Sequence, residues 1–249
     1  MAALLLMNRE VEMAIQTWQG IVRGFTHSLL AHSTSDTNKD CCKHIVFTDL
    51  SDPRVSGDAE LVVYDKSTDL GYEPTFGIWE RDEKTLYICS ESGRFELPED
   101  SSYSFSKFRN LEDIEGLYRI DTSNVKDMGH LFEDCRALEE INVSGLDVSG
   151  VTHMESAFCH CDSLKALDLS GWDTQNVVNA SFIFAWCKNL KELDISSWTL
   201  DNAEYKTELF PGCESLTKVH YPEDMALTKI LKRQVSKEVK KDTPKHGGR

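Results

Sequence analysis

Residues 153–161 read HMESAFCHC, two histidines and two cysteines in nine positions. Imidazole and thiolate are ligands that zinc accepts, and a thiol beside an imidazole is also the pairing that runs nucleophilic catalysis. Cys159, His160 and His153 are therefore the first candidates for a metal or thiol centre, with the adjacent Cys41 and Cys42 as a second. What recurs on either side of this stretch decides between that chemistry and packing.

Cys135, Cys161, Cys187 and Cys213 are each 26 residues apart. Phe132, Phe158, Phe184 and Phe210 stand three residues before them, and Leu138, Leu164, Leu190 and Leu216 three residues after. Strand-like pairs follow in step: Ile141/Val143, Leu167/Leu169, Leu193/Ile195 and Val219/Tyr221. Leu146, Trp172 and Trp198 share the next column, then Asp121, Asp147 and Asp173, then Val125, Val151, Val177 and Ala203. So many columns in phase mark a repeat protein. The unit, roughly C-x-x-L-x-x-L-x-L-x-x-(W/L)-D-x-x-N-V followed by a half ending in F-x-x-C, has an L-x-x-L-x-L core. That core predicts a short strand with alternate side chains inward, then a turn and a return path. One unit cannot bury its apolar side chains alone, so units must stack and both ends must be covered.

The cysteine column answers the opening question in favour of packing. Cys161 belongs to it, and no other member has a nearby pair of histidines. A buried thiol packs as a small hydrophobe. No metal or other cofactor is expected, and no enzyme motif appears: there is no Gly-rich phosphate loop, no G-x-S-x-G and no HExxH.

The period, the cysteine column and the phrases LDLSGWDTQNV and IDTSNVKDMGHLF resemble the BspA-type leucine-rich repeats of bacterial surface proteins. The same 26-residue unit is similar to that of a large Mycoplasma lipoprotein family of unassigned function. The resemblance runs from about Phe105 to Tyr221 and extends upstream through ERDEKTLYICSESGRFELPEDSSYSFSKFRNL. It implies a bacterial surface adhesin or interaction protein, with no catalytic residues to carry over. The chain departs from that pattern in showing no visible signal peptide or wall anchor.

The expected fold class is an α/β repeat: a short leucine-rich-repeat solenoid with parallel strands, preceded by an N-terminal helix and a small β-rich capping region. In the first segment, 1–42, apolar Val11, Ile15, Trp18, Val22, Phe25 and Leu29 form a helical stripe, and HSTSDTNKD reads as a linker. Residues 43–104 hold the strand-like pieces HIVFTDL, ELVVYD, FGIW and TLYICS, the last two separated by ERDEK as a hairpin turn. The repeats occupy 105–224. In 225–249 a capping helix with Met225, Leu227, Ile230, Leu231 and Val235 on one side precedes a basic tail.

The net charge of −15 limits the partners. From Ala226 onward there are eight Lys and Arg against two acidic residues, so the chain before it carries −21 and repels phosphate backbones. No nucleic acid is expected as a partner. No run of apolar residues is long enough to span a membrane.

The expected function is non-enzymatic: a protein- or glycan-binding module, a monomer or one element of a multivalent array. Trp172 and Trp198 follow the strand at the edge where it turns away; half-exposed indoles there would meet a protein or sugar, and the alternative is that they shield the turn. On the strand face, Asn142, Asp168, Asp194 and His220 point outward as a polar, largely acidic strip. Two competing readings stay open: an intracellular interaction scaffold, and a thiol or zinc enzyme built on Cys159, His160 and His153. The aspartate column at 121, 147 and 173 fits side chains that bond their own turn amides better than it fits calcium.

Overall fold

The computed structural model describes residues 41–55, 60–65, 75–80, 83–206 and 208–222. The helices expected near both termini lie outside these residues. Upstream, five strands form a mixed sheet: β1 (His44–Asp49), β2 (Glu60–Asp65), β3 (Thr75–Glu80), β4 (Thr85–Ser90) and β6 (Asp113–Glu115), in the order β2-β3-β4-β1-β6. β3 and β4 are the antiparallel hairpin that the two strand-like pieces predict, with Glu80 opposite Thr85. β1 is parallel to both β4 and β6. Two residues each of β5 (Phe95–Glu96) and β7 (Ile120–Asp121) make a second small pair. Pairing therefore crosses residue 104, and β6 of the first 26-residue unit belongs to the upstream sheet.

Downstream, consecutive units lie in parallel register. Asp100, Asp127, His153, Asn179 and Tyr205 are linked in one series of single bridges. Through the F-x-x-C half, every second amide donates to the following unit. Met128, His130, Phe132 and Asp134 bond the carbonyls of His153, Glu155, Ala157 and Cys159 at 2.7–2.8 Å, and Met154, Ser156, Phe158 and His160 do the same to the next unit.

These facts overturn the expected fold class. From residue 42 on, the described residues are strands, bridges and turns, and their helical content is the 3-10 turn Leu117–Arg119. An α/β repeat needs helical return paths, and the backbone forbids them. His130 and Asp134, Ser156 and His160, Phe182 and Trp186, and Glu208 and Gly212 all have positive φ, four residues apart in every unit. A left-handed residue every four positions ends any α-helix. The alternate amides are also committed to the neighbouring unit, not to carbonyls four residues back. Nor does one continuous leucine-rich-repeat sheet run along the array. Its strands are confined to β8 (Ala166–Asp168), β9 (Glu192–Asp194) and β10 (Lys218–His220), three residues each, while Ile141–Val143 forms no strand.

Among the described residues the smaller of two hydrophobic clusters, Val46, Tyr87 and Cys89, lies in the upstream sheet, and the larger runs from Phe47 and Phe95 to Val219. Down its middle Phe105, Phe132, Phe158, Phe184 and Phe210 stack face to face with centroids 5.2–6.1 Å apart. At the upstream end Phe47 meets Phe105 edge-on at 6.0 Å, joining the sheet to the stack. The buried hydroxyls of Thr122 and Thr174 donate to the carbonyls of Asp147 and Thr199 in the next unit. Such bonds let a polar group sit in the core without an unpaired donor.

Candidate functional site

The column of thiols is built into this core. Cys135, Cys161, Cys187 and Cys213 each donate from Sγ to the carbonyl of a phenylalanine in the unit before: Phe105, Phe132, Phe158 and Phe184, at 2.8–3.3 Å. Burial raises Cys161 and Cys187 well above the ordinary range and pushes Cys213 up to about 12. Cys159 is buried as well. Desolvation pushes it up to about 12, and the negative charges of Glu133, Asp134 and Asp162 add to the effect. His153, exposed in the bridge series, shares a contact with the Thr152 hydroxyl at 3.0 Å and does not join Cys159. Among the described residues no three His, Cys, Asp or Glu side chains come together to hold a metal ion.

The two tryptophans proposed as a recognition edge are corrected by the structure. Trp172 is 2% exposed and Trp198 0%. Each ring lies against the phenylalanine stack, Trp172 6.0 Å from Phe158 and Trp198 5.8 Å from Phe184. The reason is geometric: the turn after each strand folds back over the core, so its apolar residue closes that corner from inside. Trp172 Nε1 donates to Val143 O at 3.3 Å, whereas Trp198 Nε1 is buried without a partner among the described residues.

The strand-face strip is in register. Asp168, Asp194 and His220 stand side by side on β8, β9 and β10, with Ala166, Glu192 and Lys218 in the neighbouring row. Yet its acceptors are committed locally. Asn142 Oδ1 accepts from the Ser144 amide, Asp168 Oδ1 from Ser170 and Asp194 Oδ1 from Ser196, at 2.9–3.1 Å. His220 Nε2 lies 3.4 Å from Glu192 Oε1, which Lys218 also approaches at 2.7 Å. Asp121, Asp147 and Asp173 make the same turn bond to residues 123, 149 and 175. These are the self-capping turns that short acceptor side chains favour.

Sequence reasoning missed the large aromatics that do face solvent: Tyr118, Tyr205 and Trp186, the last 40% exposed. Trp186 occupies one column with Lys107, Asp134, His160 and Gly212, all at positive φ. Its ring stacks on His160, centroids 4.9 Å apart and planes within 7°. Two units earlier, in the column four residues upstream, Tyr103 stacks on His130 at 4.3 Å. Around Trp186, Asp162 Oδ2 lies 3.3 Å from Lys188 Nζ, and Asp162 Oδ1 lies 3.7 Å from His160 Nδ1. The signal available in sequence was the column itself: Lys, Asp, His and Gly fill its other positions, so it is not one of the apolar core columns.

No helix among the described residues is long and apolar enough to cross a membrane. No curated protein and no solved structure matches the chain. The in-register array that carries the thiol column and the Trp186–His160 stack is the part that finds a relative: residues 99–221 match the family described as "Mycoplasma protein of unknown function, DUF285".

Proposed function

We propose that the array is a non-enzymatic recognition module that binds a protein or glycan ligand. The observation that carries this reading is Trp186: a large indole left 40% exposed while stacked on His160. Its backbone is held by the Trp186 amide, which donates a hydrogen bond to Pro211 O. An exposed aromatic fixed in advance loses little freedom on binding, which is why such residues dominate recognition surfaces. The enzyme reading is disfavoured by Cys159, whose burial keeps it a thiol at neutral pH. Surface adhesion, the role implied by the resemblance to bacterial surface repeats, is the setting in which such a module would act, with many copies supplying avidity.

The test is surface plasmon resonance of the full chain over immobilised extracellular glycoproteins, each presented intact and enzymatically deglycosylated. Binding to at least one surface in either form, lost in Trp186→Ala, is the expected result. An absence of binding to all of them, or binding indifferent to Trp186, overturns the reading.

A further inference from the structure

We propose that Asn142 is the acceptor of an N-linked glycan, delivered to it from a polyprenyl-diphosphate oligosaccharide. Transfer to an asparagine side chain requires the triplet Asn-x-Ser/Thr, with x other than proline, on an accessible segment. The chain holds two such triplets, Asn142-Val143-Ser144 and Asn179-Ala180-Ser181. The fold holds them differently. Asn179 is locked between units, bridging His153 on one side and Tyr205 on the other. Its amide donates to Thr152 O at 3.1 Å and its carbonyl accepts from the Met154 amide at 3.0 Å. Asn179 and Ser181 are both half-buried.

Asn142 stands where the matching strand is missing. The same positions in the next two units are the paired strands β8 and β9, yet residues 140–142 form no strand. No backbone amide from Glu139 to Val143 donates to a backbone carbonyl among the described residues. Asn142 and Ser144 are exposed. The Ser144 amide and hydroxyl both donate to Asn142 Oδ1, at 3.1 and 2.7 Å, and Nδ2 has no partner among the described residues. Asn176, Asn189 and Asn202 instead spend Nδ2 on carbonyls of the unit before. Asp168 and Asp194 make the same turn bond in this column, but only residue 142 carries an amide nitrogen there. In the transfer, Nδ2 attacks C1 of the first sugar. The N–C1 bond forms as the C1–O bond to the diphosphate breaks, the polyprenyl diphosphate leaves with the electron pair, and the transferase takes a proton from Nδ2. A segment must leave its neighbours to enter a transferase cleft. Around Asn142 few backbone bonds oppose that, whereas around Asn179 two units hold it.

The experiment incubates the folded full chain with a single-subunit oligosaccharyltransferase that reads Asn-x-Ser/Thr alone and a polyprenyl-diphosphate oligosaccharide. Intact and peptide masses locate the product. The chain should gain one glycan, on Asn142, absent in Asn142→Gln and Ser144→Ala and retained in Ser144→Thr. Synthetic peptides spanning 138–148 and 175–185 should both be modified, because without the fold the two triplets are equivalent. An unmodified Asn142 in the full chain overturns the assignment. Modification of Asn179 in the folded chain to the same extent as Asn142 overturns the selection by backbone pairing on which it rests.

Discussion

Cys161 donates from Sγ to the carbonyl oxygen of Phe132, 29 residues earlier, across 3.3 Å. That bond ties the thiol column to the aromatic stack, and it is made by all four column cysteines. Cys161→Ala removes the donor and opens a small void. It should cost about 1–3 kcal/mol, the sum of a lost buried hydrogen bond and a lost buried side-chain atom. Urea denaturation of the variant against wild type measures it. The same burial predicts that a thiol reagent at neutral pH labels exposed Cys41 quickly in native protein and Cys161 only as the protein unfolds. Fast labelling of Cys161 would contradict the column.

The two buried tryptophans should respond differently to one substitution. Trp172→Phe loses a hydrogen bond to Val143, whose carbonyl keeps the Leu146 amide, whereas Trp198→Phe removes a donor that has no partner among the described residues. Both lose some packing volume, but Trp172→Phe should be the more costly by about 1 kcal/mol, the worth of a buried hydrogen bond. Paired denaturation curves test this, and a larger cost at Trp198 would go against it.

Gly145 and Gly171 occupy equivalent positions 26 residues apart but meet different neighbours. A Cβ at Gly145 would lie 2.7 Å from Tyr118 Cα, a backbone atom that cannot yield cheaply; at Gly171 nothing lies within 4 Å. Gly145→Ala should lower the melting temperature by several degrees. Gly171→Ala should be neutral or stabilising by about 0.4–1 kcal/mol, since alanine restricts the unfolded chain. Calorimetry of the two variants decides it.

Acid should loosen the array through its capped turns. The Asp121 carboxyl is held below its ordinary range chiefly by the Ser123 amide, and Asp168 chiefly by Ser170. A carboxyl whose folded value lies below its unfolded value of about 3.9 contributes stability that is complete above the unfolded value. That contribution is lost as the pH falls through the folded one. The melting temperature should therefore drop below about pH 4. Asp168→Asn keeps the Oδ1 acceptor without the charge, so its melting temperature should fall less steeply with acid. A parallel fall in both proteins would assign the acid sensitivity elsewhere.

Much of the interior was legible because it repeats. A column of identical cysteines, phenylalanines or leucines at a fixed spacing places them in one environment, and the environment that suits all three is the core. The aspartates at 121, 147 and 173 were equally readable, because a carboxylate followed two residues on by a free amide closes its own turn. The fold class was not legible, for a reason carried by the backbone. His130, Asp134, Ser156, His160, Phe182 and Trp186 adopt left-handed conformations that side-chain identity alone does not announce, since most such positions elsewhere are glycine. What favours them here is the in-register neighbour, whose carbonyls take every second amide of the unit before.

The sequence by itself determined the period, the identity of the core columns and the acidic net charge. Only the tertiary structure decided which aromatic faces outward. Trp172 and Trp198 turn inward because the corner after the strand folds over the phenylalanine stack, whereas Trp186, stacked on His160 beside the buried thiol Cys187, is left 40% exposed. Period fixes which residues are equivalent; the direction of each side chain follows from local backbone conformation, and that is settled only when one unit lies against the next.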